Sequence, residues 1–84
     1  MQRDALLEGT KVLMRACYGL GSDVTDSELV PYASKHLRQV RLGESMEAIR
    51  FSLSQTQLKL SPPYSEQATR DLAERLVAMV PKSN

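Results

Sequence analysis

The chain has 84 residues, 42% of them hydrophobic and 25% charged, with no Trp, one Phe and one Cys. That composition excludes intrinsic disorder, a collagen-like repeat and a disulfide scaffold, and the length fits one small domain. Eleven Lys and Arg against ten Asp and Glu leave a net charge of +1, so bulk charge supplies no concentrated positive face for nucleic-acid phosphates.

Gly19, Gly21, Ser22 and Asp23 make a first break, Gly43 a second and Ser61-Pro62-Pro63 a third, and Pro81 closes the last periodic segment. The first predicted helix runs from about Asp4 to Tyr18. Its expected stripe is Leu6, Leu13, Cys17 and Leu20, with Ala5, Val12 and Ala16 beside it. Gly9 within it marks either a weak start or a close helix contact. Cys17 is expected to be a small buried hydrophobe, since a single thiol cannot form an internal disulfide.

The second helix opens on Thr25-Asp26-Ser27-Glu28, the spacing of a capping box. Pro31 falls early in it. Val30, Ala33, Leu37 and Val40 are expected to line the inner face, and Lys35, Arg38 and Arg41 the outer one. His36, the one histidine, reads as a surface residue. No Cys or carboxylate stands at ligand spacing from it, so no metal site is expected.

The third helix follows Gly43 as C-cap and Ser45 as N-cap. Met46, Ile49, Leu53 and Leu60 recur on one side, while Ala48, Phe51 and Leu58 form a second apolar strip roughly opposite. A helix apolar on two sides is either central in its bundle or presents one side to a partner. Residues 55–60 also alternate polar and apolar, which leaves a short strand open there. The fourth helix begins near Ser65 and runs to Val80 on a stripe of Ala68, Leu72, Leu76, Met79 and Val80. The expected fold is all-α, a compact bundle of about four short helices forming a single domain over residues 1–84.

No catalytic signature, phosphate loop or calcium loop is present, so neither catalytic residues nor a cofactor are expected. The expected function is a non-catalytic adaptor or assembly module. It would bind another protein, or itself as a dimer, through Ala48, Phe51 and Leu58 and through Lys35, Arg38 and Arg41. The alternative is a helix-turn-helix DNA-binding regulator. Leu37-x-x-x-x-Leu42-Gly43-x-Ser45-x-x-x-Ile49-x-x-x-Leu53 has the spacing of that motif. Met46, Glu47 and Arg50 would then face the major groove, with Lys35 and Arg41 beside them. Gln39 stands where the motif prefers a small residue, and Glu44 and Glu47 flank the one cation of the supposed recognition helix. The N-terminal residues Met-Gln-Arg-Asp-Ala-Leu-Leu-Glu lack the apolar core of a signal peptide, and no run reaches the length of a membrane span. A cytoplasmic location is therefore expected, with no membrane partner.

Tyr18, Leu20-Gly21, Leu29, Gly43 and Ser45 also resemble a bacterial helical domain of unknown function that is similar to the phycobilisome linker domain. Glu28 and Tyr32 are acceptable variants of its pattern. The sequence departs from that pattern at Ser22, where the family has Arg. It departs again at Val24-Thr25, in place of Pro-Asp, and at Thr56 and Leu58, in place of the closing Ser and Glu. The resemblance covers about half the chain. It implies a helical fold and a role in assembling other proteins, and it supplies no catalytic residue.

Overall fold

Each helix begins at a side chain that satisfies the first free backbone N–H groups, as helix starts require. A computed structural model of the chain describes residues 4–81; the domain expected over residues 1–84 extends beyond these at both ends. Helix α1 spans Ala5–Tyr18 and starts at Asp4, whose carboxylate accepts from the Leu6 and Leu7 amides at 3.0 and 3.3 Å. It ends at Gly19 in the left-handed region (φ 66°), where Leu20 N–H donates back to the Arg15 carbonyl at 3.0 Å. Helix α2 spans Asp26–Arg41 behind the Thr25–Glu28 capping box, and Gly43 at φ 74° turns the chain away from it. Helix α3, Met46–Leu60, and helix α4, Glu66–Met79, start at Ser45 and Ser65, whose hydroxyls accept from Ala48 and Ala68 N–H. Val80, held extended before Pro81, stops α4.

The four helices form an all-α bundle with a radius of gyration of 11.9 Å. α1 packs on α2 and α4, and α3 packs on α4 and α2. The core gathers Met14, Leu29, Leu37, Val40, Ile49, Leu53, Leu72 and Leu76. No helix among the described residues is long and apolar enough to cross a membrane. Residues 55–60 are helical to the end of α3, because Thr56 and Gln57 both turn inward one turn beyond Ser52 and Leu53.

Three local expectations are corrected. The buried line of α1 is Thr10, Met14 and Tyr18, with Lys11 beside it. Leu6, Leu13, Cys17 and Leu20 are only half-buried, and Ala5, Val12 and Ala16 are exposed. The offset arises because α1 is gripped on two flanks. Lys11 turns toward Asp26 of α2 and Cys17 toward the charged side of α4. Thr10 can sit in the core because its hydroxyl donates to the Leu6 carbonyl at 2.7 Å. On α2, Leu29 takes the inward place expected of Val30, which is exposed. His36, expected at the surface, is fully buried between α2 and α3. Gly9 marks a close contact: a Cβ there would lie 2.9 Å from the Met79 sulfur.

Leu53 is fully buried on α3, whereas Phe51, two residues earlier, is 68% exposed. In urea denaturation, Leu53→Ala is expected to cost about 2–5 kcal/mol. Phe51→Ser is expected to stay within about 0.5 kcal/mol of the parent, as a surface change should.

Candidate functional site

The inner face of α3 is unusually polar. Ser52, Thr56 and Gln57 are all buried on it. His36 of α2 meets this face. Its Nε2 lies 2.8 Å from the Thr56 hydroxyl, and its Nδ1 lies 3.1 Å from the Gln39 side-chain oxygen. The Gln39 oxygen makes Nδ1 the donor on that side, while the one Thr56 hydroxyl proton lies within reach of both Nε2 and the Ser52 carbonyl, 3.3 Å away. Further along, the Gln57 side-chain oxygen accepts from Ser65 N–H at 3.0 Å and from the Thr69 hydroxyl at 3.4 Å. Thr56, His36 and Gln39 have the order of a hydroxyl, a base and an orienting group. His36 and Thr56 are closed to solvent, however, and they line neither of the two cavities described here, so their visible role is to pin α2 to α3.

The outer face of α3 carries large apolar residues of its own, while Ile49 and Leu53 share the inner face with the polar side chains. Phe51 is 68% exposed and Leu58 47%. Seven residues apart, they lie on one line about two turns, or roughly 10 Å, from each other. Ala48 is half-buried at the edge of that line. Glu47 and Arg50 are exposed, whereas Met46 is half-buried. With Ile49, Val77 and Val80, Met46 lines a cavity of about 240 Å3 under the α2–α3 turn. Of the residues expected in a DNA-reading helix, Glu47 and Arg50 thus project outward and Met46 lines this cavity.

The basic residues of α2 divide. Lys35 and Arg38 are exposed, and Arg41 is half-buried with its guanidinium 3.7 Å from the Asp4 carboxylate. Arg38 and Arg41 come together on the wall of a groove between the start of α1 and the second half of α2. Leu7, Leu37 and Leu42 supply its apolar lining. Lys35 does not line it, and the groove shares no residue with the Ala48, Phe51 and Leu58 strip. Leu42 is 69% exposed. Sequence periodicity missed it because it follows the last turn of α2, where no face pattern applies; its place just before Gly43 was the available signal.

A separate brace holds the α1–α2 connection. Arg15 donates to the Gly21 and Val24 carbonyls and pairs with Asp26 at 2.8 Å, while Lys11 lies between Glu8 and Asp26. The Arg15 hydrogen bond and the nearby Lys11 charge hold the Asp26 carboxyl below its ordinary range. Burial pushes the Cys17 thiol up, with a smaller opposing pull from Arg75 and a further push from Asp71. Among the described residues, no group of three His, Cys, Asp or Glu is placed to hold a metal ion.

The chain matches no protein-family model, no curated protein and no solved structure.

Burial lowers the His36 pKa from its ordinary value of 6.5; Lys35 adds to the lowering, and the Gln39 hydrogen bond partly opposes it. The unfolded chain therefore takes up a proton more readily than the folded one. Stability is full above about pH 6.5 and falls as the pH drops through that value. Urea midpoints are expected to be lower at about pH 5.5 than at about pH 7.5 in the parent, with the difference lost in His36→Gln. Equal pH dependence in parent and variant would remove His36 as the cause.

Proposed function

We propose that this chain is a non-catalytic assembly module that binds another protein through the outer face of α3. One observation carries the reading. α3 buries Ser52, Thr56 and Gln57 while it exposes Phe51 and Leu58. Scattered exposed apolar residues are ordinary on a protein surface. A helix that turns polar residues inward and its only aromatic outward gains nothing for its own packing from that arrangement. Phe51 and Leu58 at i and i+7 have the spacing of anchors on a helix that docks into a groove.

The size of the face favours a partner with a pocket over a second copy of the chain. A large aromatic side chain brings about 150–250 Å2 to an interface, whereas a stable one needs about 800 Å2 from each partner. Two projecting side chains therefore act as anchors for a partner that supplies the remaining area. The resemblance of Tyr18–Tyr32 and Gly43–Ile49 to a bacterial helical domain of unknown function, itself similar to the phycobilisome linker domain, agrees with this reading. A DNA-reading role for α3 draws less support, because Glu47 stands beside Arg50 on the exposed face and offsets the charge that phosphate contacts would need.

The test is photocrosslinking in the native cell, with p-benzoylphenylalanine placed at position 51 or, as a control, at exposed Arg70 of α4. A protein adduct is expected from position 51 and not from position 70, and Leu58→Asp in a folded variant should abolish it. Absence of an adduct, or an adduct indifferent to Leu58→Asp, would overturn the reading. An adduct at twice the mass of the chain would assign the face to self-association instead.

A further inference from the structure

We propose that the groove between α1 and α2 binds an acidic amphipathic segment of a partner protein. This surface is distinct from the outer face of α3 and does not depend on the role assigned to that face. The groove has a volume of about 280 Å3 and is lined by Leu7, Leu37 and Leu42, with Arg38 and Arg41 at its edge. Enclosed small-molecule sites are mostly larger, about 300–1,000 Å3. Leu42 stands 69% exposed on one wall, so the groove is open along its side, as a segment laid across it requires.

Charge selects the occupant. Arg38 makes no ion pair among the described residues, and Arg41 reaches only Asp4, at 3.7 Å. Among the described residues, Asp4 is the sole anion lining the groove. Both arginines lie in the last turn of α2, where the helix end is negative and holds cations favourably. The backbone there offers carbonyls, not donors, so the guanidinium groups, with the Ser34 hydroxyl that also lines the groove, must receive an incoming anion. Carboxylates suit them, because planar guanidinium forks pair with carboxylates through two parallel hydrogen bonds. A segment with apolar side chains at helical spacing would place them on Leu7, Leu37 and Leu42. Its flanking Asp or Glu would meet Arg38 and displace the long Arg41–Asp4 contact. Lys35, one turn before Arg38 and exposed, extends the attraction along the approach.

The test uses a fluorescein-labelled peptide of about 15 residues, with Leu at i, i+3, i+4 and i+7 and Glu elsewhere, and a counterpart with Lys in place of every Glu. Fluorescence anisotropy at low salt should show binding of the Glu peptide and at least about tenfold weaker binding of the Lys peptide. Arg38→Glu and, separately, Leu42→Ser should each weaken the Glu peptide by about tenfold while leaving the far-ultraviolet spectrum unchanged. Both positions are exposed, so neither change should unfold the chain. Phe51→Ser should leave peptide binding unchanged, which separates this surface from the face of α3. Amide shifts in a 15N spectrum should centre on Ser34, Arg38 and Leu42. The proposal is overturned if both peptides bind equally, if Arg38→Glu has no effect, or if the shifts centre on Phe51 and Leu58. It is equally overturned if phosphatidylglycerol vesicles bind through Arg38 while the Glu peptide does not.

Discussion

The rotation of α3 about its own axis depends on two of its three buried polar side chains, Thr56 and Gln57, finding partners; the buried Ser52 hydroxyl has none. A buried hydroxyl or carboxamide without a hydrogen bond costs about 1–3 kcal/mol, so a rotation that strands one is strongly disfavoured. Thr56 meets His36, and Gln57 meets Ser65 and Thr69. The Leu53 carbonyl, on the same face, accepts from the buried Tyr18 hydroxyl at 2.7 Å. Turning α3 by one residue swings each group through about 100°, away from all of these partners at once. The same bonds therefore keep Phe51 and Leu58 on the outside. The exposed strip is a consequence of the polar pairing within, not of loose packing.

Tyr18 extends that constraint across the bundle. α1 and α3 each pack on α2 and α4, so they sit across the bundle from one another. Tyr18, at the end of α1, spans the distance to Leu53, and the Ser61 hydroxyl donates back to the Tyr18 carbonyl at 2.9 Å. The end of α1 is thus tied to α3 twice, at the middle of that helix and just past its last residue. Burial disfavours the charged form of the Tyr18 phenol, so the hydroxyl stays a donor. The Arg15 brace on residues 21–26 then closes the connection that leaves Tyr18. These links give a small core positional definition that its apolar contacts, being non-directional, do not provide by themselves.

What could be read from the sequence was mostly local chemistry. Asp4, the Thr25–Glu28 box, Ser45, Ser65, Gly19, Gly43 and Pro81 each mark a helix end through a side chain or a backbone angle acting within a few residues. The two-sided apolarity of α3 was also legible, because it is a pattern within one helix. What escaped was set by neighbours. The inward face of α1 depends on which flanks α2 and α4 occupy, and its core line includes Thr10, which no hydrophobic count would select. His36 looked like a surface residue because the Thr56 that satisfies it lies 20 positions away. The groove needs Leu7 and Leu42 brought together from opposite ends of an α-helical hairpin, and one of them lies outside any periodic segment.

α2 bears on both proposed surfaces. It packs against all three other helices. His36 points inward to α3, while Arg38 and Arg41, two and five residues later, line the groove against α1. The ring of His36 is fully buried and bonded at both nitrogens, so a tilt of α2 toward a ligand in the groove would stretch the contact to Thr56. That contact is also what fixes the rotation of α3. The groove and the outer strip are consequently presented by one hydrogen-bonded frame, and a partner proposed for either surface would meet a prearranged set of side chains. Prearrangement lowers the ordering cost that association must overcome. The proposed interfaces, with few apolar anchors each, would need that saving most.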